Sequence, residues 1–243
     1  MVLYQYFKAC LLGLTRTPSY SLLTIFTPSV IFVIIGVTFT DSRQEANFAL
    51  GSFCVFSALG VAFFQFGVRI ANERESPWER YVRVLPVHPL LRLFATILAS
   101  LVFVTVSIVI LIIVALLITD IGMPSSSWFR MLLSVFIGVF PLAAMGLTIG
   151  YWCSPKGALP VANLLYIILA FLGGIFFHPS LMPELMNSIS IFTPVRYVVN
   201  LTQAGISGKP WTIEPFLILL AYTILFLILA TAGYRRDEGY KYS

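Results

Sequence analysis

Three carboxylates and three guanidiniums crowd into one short stretch of a chain that is otherwise nearly uncharged. In NERESPWERYVRVLPVHP, residues 72–89, Glu73, Glu75 and Glu79 alternate with Arg74, Arg80 and Arg83. Interleaved acids and bases suit ionic docking onto another surface. They do not make a catalytic centre, which needs clustered His, Asp, Glu, Ser-Lys or Cys in mutual reach. The two histidines, His88 and His178, are far apart. Cys10, Cys54 and Cys153 show no C-x-x-C spacing and read as small apolar packing residues rather than a zinc site or a disulfide framework. No GxxxxGK[ST] phosphate loop occurs, so no cofactor is expected on this chain and any ATP hydrolysis must belong to another.

The charged segment carries its own folding signals. Ser76 suits a helix N-cap, Pro77 the first helical position, and Glu79 completes a capping box. Trp78, Tyr81, Val82 and Leu85 then share one apolar face, with Glu79, Arg80 and Arg83 largely off it. Pro86 and Pro89 end the helix, predicted over 77–85. Two readings fit this pattern. One is a solvated loop that anchors its neighbours through snorkelling arginines and an interfacial tryptophan. The other is a rigid docking element that passes a push from a partner into the membrane.

The elements that must hold this segment are membrane helices. The 243 residues are 59% hydrophobic and 10% charged, with a mean hydropathy of +0.94. Soluble domains carry about 25% charge. Continuous apolar runs predict six spans near 20–40, 47–69, 92–119, 129–152, 159–178 and 213–234; alternation of the barrel type is absent from them. Of the 15 basic residues, only Arg43, Arg130, Arg196 and Lys209 fall on one side of that topology. The basic excess on the other side predicts that both termini and the 72–90 loop are cytoplasmic. The net charge of +5 is then this membrane bias, and no nucleic acid is needed to explain it. Charged residues in the six intervals lie only at their ends, whereas an ion-coupled transporter needs polar groups at depth.

Within the spans, a few residues could line an interface or a path. Span five places Asn163, Tyr166, Ala170, Gly173, Gly174 and Phe177 close to one stripe, suited either to packing inside the chain or to a dimer seam or translocation route. Span two offers Phe56, Phe63 and Phe66 with one polar handle, Gln65. Pro28 and Pro141 are candidate bends in spans one and four. Residues 1–17 read as an interfacial helix or as a frayed start to span one. Residues 179–212 are too polar and too broken by Pro183 and Pro194 for a full crossing, leaving two short helices dipping into the outer leaflet or a long surface loop.

The string ERESPWERYVRVLPV resembles the loop between spans two and three in permeases of the type-2 ABC exporters, which include bacterial drug, antibiotic and lipid exporters. That loop commonly carries an E-x-E pair, a turn residue, an aromatic or Thr, basic residues and then Pro-Val or Pro-Leu. Pro77 stands where the family often has Gly, and is compatible with the same helix. The resemblance extends over nearly the whole chain. It implies an all-α integral membrane protein forming one permease domain, residues 1–243, with six transmembrane helices, a cytoplasmic coupling helix and a re-entrant helical hairpin between helices five and six. It assigns ATPase coupling to Glu73, Glu75, Trp78, Glu79, Arg80, Tyr81, Arg83 and Pro86. It implies two copies of an ATP-binding subunit carrying ATP and Mg, a second permease subunit, identical or homologous, and a place in a bacterial cytoplasmic membrane. The cargo it implies is amphipathic or lipid-like. A secondary transporter and a non-transporting immunity or assembly subunit of an ABC-like complex are the rival readings.

Overall fold

The computed structural model describes residues 18–36, 42–74, 89–177 and 182–241, and among these every regular element is helical. Helix α1 is Pro18–Ile31, continued by a wider i→i+5 stretch, Phe32–Gly36. Helix α2 begins as Arg43–Gly60, widens in the same way over Val61–Val68 and closes as Arg69–Glu73. The others are α3 (Pro89–Ile118), α4 (Ser125–Trp152), α5 (Pro155–Leu172), α6 (Glu184–Ser190), α7 (Pro194–Ile206) and α8 (Ile213–Lys241).

Five of these are long and apolar enough to cross a bilayer: Arg43–Glu73, Leu101–Ile118 within α3, Ser125–Trp152, Pro155–Leu172 and Ile213–Arg236 within α8. Thr24–Ile35 is a shorter apolar helix, where the sequence predicts a full first span. The predicted interfacial helix at 1–17 lies outside the described residues.

Local chemistry sets the boundaries. Ser42 starts α2 through a capping box: the Glu45 N–H donates to Ser42 Oγ (3.3 Å) and the Ser42 N–H donates to Glu45 Oε2 (3.1 Å). Ser154 caps α5 by accepting from the Gly157 N–H (3.1 Å), with Pro155 in the first turn. Helix α5 stops at Leu172 because Gly173 and Gly174 follow, and Gly174 adopts φ 82°, a conformation that favours glycine. Pro28 and Pro141 lie inside α1 and α4.

Helix α4 is the hub. A Cβ at Gly146 would overlap the Ala62 carbonyl oxygen, and one at Gly150 would lie 3.0 Å from the Gly67 oxygen. The α2 and α4 backbones are therefore in direct contact, which only residues without side chains permit. Buried or half-buried hydroxyls pin α4 to its other neighbours. Ser127 donates to Ile206 O (3.1 Å) and Ser134 to Leu201 O (3.2 Å) on α7, and Thr148 donates to Phe226 O (3.1 Å) on α8. Ser107 of α3 donates likewise to Ile25 O of α1 (2.8 Å). Such bonds spare buried polar groups the cost of standing unpaired in hydrocarbon.

Polar contacts gather at the two ends of the bundle. At the far end Arg43 makes a bidentate ion pair with Asp120 (2.8–3.1 Å), Asn47 exchanges two bonds with Gly122, and the Arg130 guanidinium donates to Lys209 O while lying 4.8 Å from the Trp211 ring centre. The basic end carries Arg69, Arg74, Lys156, Arg235 and Arg236.

Between α5 and α8, α6 and α7 form a pair of short helices, where the sequence left a hairpin or a loop open. Arg196 of α7 donates to Asn187 Oδ1 of α6 (3.0 Å). Helix α7 runs antiparallel to α4, with Ile206 near Ser127 at the far end and Val198 seated on Gly138 deeper in the bundle. Val195, Val198, Val199, Leu201 and Thr202 are all buried.

Candidate functional site: a groove and a charged end

The bundle positions two regions that can act on something outside the chain. The first is a groove walled by α1, α2, α5 and the Gly174–Phe177 turn, with a cavity volume of ≈ 1480 Å³. Its wall carries a cluster of aromatic rings. Phe56 stacks on Tyr166 with ring centres 4.5 Å apart, Phe64 meets Tyr166 edge-on at 5.1 Å, and Phe176 lies 5.3 Å from Phe56 and 5.0 Å from Phe171. The Tyr166 hydroxyl donates to Phe56 O at 3.4 Å. Polar lining groups include Thr24, Thr27, Ser52 and Asn163 along the walls, and Ser42, Gln44, Glu45 and Gln203 at the far-end mouth.

Of the ten residues that the sequence offered for an interface or a path, the structure brings five to this groove: Phe56, Asn163, Tyr166, Gly174 and Phe177. The other five face elsewhere. Phe63, Gln65, Phe66 and Ala170 are buried inside the bundle, and Gly173 packs under Val195 of α7. The cause for Phe63 is the winding of α2. At 3.6 residues per turn Phe63 shares a face with Phe56. The wider turns of Val61–Val68 rotate Phe63 off that face and bring Phe64 onto it. The proposed polar handle fails for a related reason: Gln65 is 1% exposed, and its Nε2 meets no acceptor. The stripe on span five likewise breaks at Leu172, so Gly173, Gly174 and Phe177 belong to the turn beyond the helix.

The second region is the basic end where α2 leaves the bundle. Of the eight coupling candidates, Glu73 is described: it pairs with Arg69 one turn earlier in the helix, a contact of small energetic weight at a surface. Glu75, Trp78, Glu79, Arg80, Tyr81, Arg83 and Pro86 lie outside the described residues.

A residue to which the sequence reading gave no role of its own organises this end. Arg74 donates from its two terminal nitrogens to Tyr151 O (2.7 Å) and Cys153 O (2.6 Å). It thereby satisfies two carbonyls that the end of α4 leaves open, and fastens the root of the charged segment to the hub helix. Burial pushes the Cys153 thiol up from its ordinary range, and the Arg74 charge beside it pulls the other way. One residue before that carbonyl, the Trp152 indole N–H donates to Leu229 O (2.8 Å), and Arg236 sits 5.6 Å from the Trp152 ring centre. The ends of α2, α4 and α8 are thus joined through residues 151–153. At the other end of α2 the S-R-Q-E spacing at 42–45 announces a capping box and could have pointed to Glu45 at the groove mouth; no such signal marks Arg74.

Comparison with known proteins fits this architecture. The chain is 28% identical over 206 residues to "Putative transport permease YvfS" of Bacillus subtilis (strain 168), covering 85% of this chain and 84% of that one. It matches the family described as ABC-2 type transporter over residues 2–207. Five bilayer-length helices and a match across most of the length make the chain a member of the ABC-2 type transporter family, a transmembrane subunit whose membership implies partnership with an ATP-binding subunit.

Proposed function

We propose that this chain is the permease of an ATP-driven exporter that moves an amphipathic or lipid-like substrate across a bacterial cytoplasmic membrane. The observation that carries this reading is the groove: a ≈ 1480 Å³ space with long apolar walls and a polar mouth, larger than most small-molecule pockets. In this reading α1 with the stretch after it is the sixth span, and both termini lie in the cytoplasm. A second permease copy closes the groove from the other side, and two ATP-binding subunits carrying ATP and Mg sit beneath.

The coupling helix of residues 72–90 docks on those subunits through Glu73, Glu75, Trp78, Glu79, Arg80, Tyr81, Arg83 and Pro86. Arg74, bound to the end of α4, passes the movement into the bundle. The chain contributes position and a passage, and the chemistry of phosphate release stays on the partner.

The α6–α7 pair is read as re-entrant from its depth. Val198 packs on Gly138, thirteen residues or about 20 Å along α4 from Ser125. Phe192 O, in the turn between α6 and α7, accepts from the Tyr222 hydroxyl (2.6 Å), nine residues or about 14 Å along α8 from Ile213.

The test is co-purification with the ATP-binding subunit, followed by Glu75→Lys with Arg80→Glu. The expected outcome is loss of substrate-stimulated ATP hydrolysis in a permease that still folds and still inserts. Transport at the unsubstituted rate would remove the docking assignment.

A further inference from the structure

The groove's charge points to one class of cargo. Glu45 is the single ionisable acid among the described lining residues, and no lysine or arginine is among them. This holds in a chain whose net charge is +5, so the cations have been placed elsewhere. Arg43, two positions before Glu45, is held by Asp120 in a bidentate pair at the end of α3. Arg130 of the same end donates to the Lys209 main-chain carbonyl and lies over the Trp211 ring.

An anionic headgroup entering the groove would lose water and meet no positive partner among the described lining residues, which is costly in an apolar surround. A cation meets the opposite situation. The capping box fixes the Glu45 carboxylate at the mouth. Along the wall, Phe56, Phe64, Tyr166 and Phe176 form a connected aromatic cluster, and aromatic rings attract cations.

We infer that the groove selects cationic amphiphiles, with the positive group held near Glu45 at the mouth and the apolar body laid along the phenylalanines. This rests on the reading of the groove as the substrate route, and adds the sign of the cargo's charge.

Two ions of nearly one size and shape but opposite charge supply the test: tetraphenylphosphonium and tetraphenylborate. The full chain is placed in phosphatidylcholine nanodiscs, and saturable binding of each ion is measured above that of empty discs. The phosphonium is expected to saturate, with the borate weaker by about tenfold or more. Glu45→Gln keeps the capping pattern, since Gln serves at that position, and removes the charge. It is expected to weaken phosphonium binding about three- to fivefold, the scale of a partly exposed ionic contact, and to leave borate binding unchanged. Equal affinity for the two ions overturns the inference, as does saturable binding of neither. An unaltered phosphonium affinity in Glu45→Gln does the same. Because binding is measured without the ATP-binding subunit, the two readings fail separately. Charge-selective binding with no ATPase coupling removes the exporter reading, and coupling without charge preference removes only this inference.

Discussion

Helix α2 faces two kinds of neighbour. Toward α4 its backbone touches backbone at Ala62, Gly67, Gly146 and Gly150, and α4 is tied onward to α7 and α8 by buried or half-buried hydroxyls and the Trp152 indole. Toward α5 it meets stacked rings, one long hydroxyl bond at 3.4 Å and an open groove. The burial of the two spans follows suit: 83% of the α2 window lies inside the bundle, against 28% for α5. Direct backbone contact leaves no slack, because interiors at crystal-like density transmit strain rather than absorb it. A wall made of rings sliding over rings has fewer fixed contacts to break. The bundle therefore has a rigid frame of α2, α4, α7 and α8, and a side where rearrangement is inexpensive.

The largest test of this contrast is Gly146→Leu. Its side chain must displace the Ala62 carbonyl, and overpacking against backbone is expected to cost about 3 kcal/mol, read as a lower resistance to denaturant in detergent. The matched change on the other side is Ile167→Ala, at a half-exposed groove residue, expected to stay within about 0.5 kcal/mol. Equal losses at the two positions would erase the distinction.

A smaller effect sharpens the frame at its basic end. Arg74→Met keeps side-chain length and removes the donors to Tyr151 O and Cys153 O. A loss of about 1.5 kcal/mol is expected from charged hydrogen bonds at a partly exposed cap. Faster amide exchange should appear at the end of α4, with partial recovery in Arg74→Lys. The smallest effect belongs to the groove. Tyr166→Phe deletes only the 3.4 Å bond to Phe56 O and leaves the stacked ring. It should change stability by less than about 0.5 kcal/mol.

Much of this frame was legible in the sequence because hydrophobic runs of bilayer length announce helices directly. The predicted spans at 92–119, 129–152 and 213–234 begin within four residues of α3, α4 and α8. The end of α5 was harder: the apolar run continues through GGIFF, and only the paired glycines mark where the helix gives way. The groove was half legible. Asn163 and Tyr166 sit on a regular helix and obey its period, so their shared face could be read. Phe63 and Phe64 could not be told apart, because VAFFQFGV has the composition of any membrane helix and nothing in it signals wider winding. The Arg74 clamp was invisible for another reason: its acceptors are main-chain carbonyls 77 and 79 residues away, and backbone groups leave no trace in residue type.

The winding of Val61–Val68 also changes how this span must be compared with others. A helical wheel carried through residue 61 at the ordinary pitch assigns the wrong direction to side chains beyond it, down to the root of the charged loop. Cysteine scans, cross-linking designs and pairwise alignments of this span therefore need a phase correction at that point. Two permeases can carry the same letters at the same positions after it and still turn different faces to their cargo.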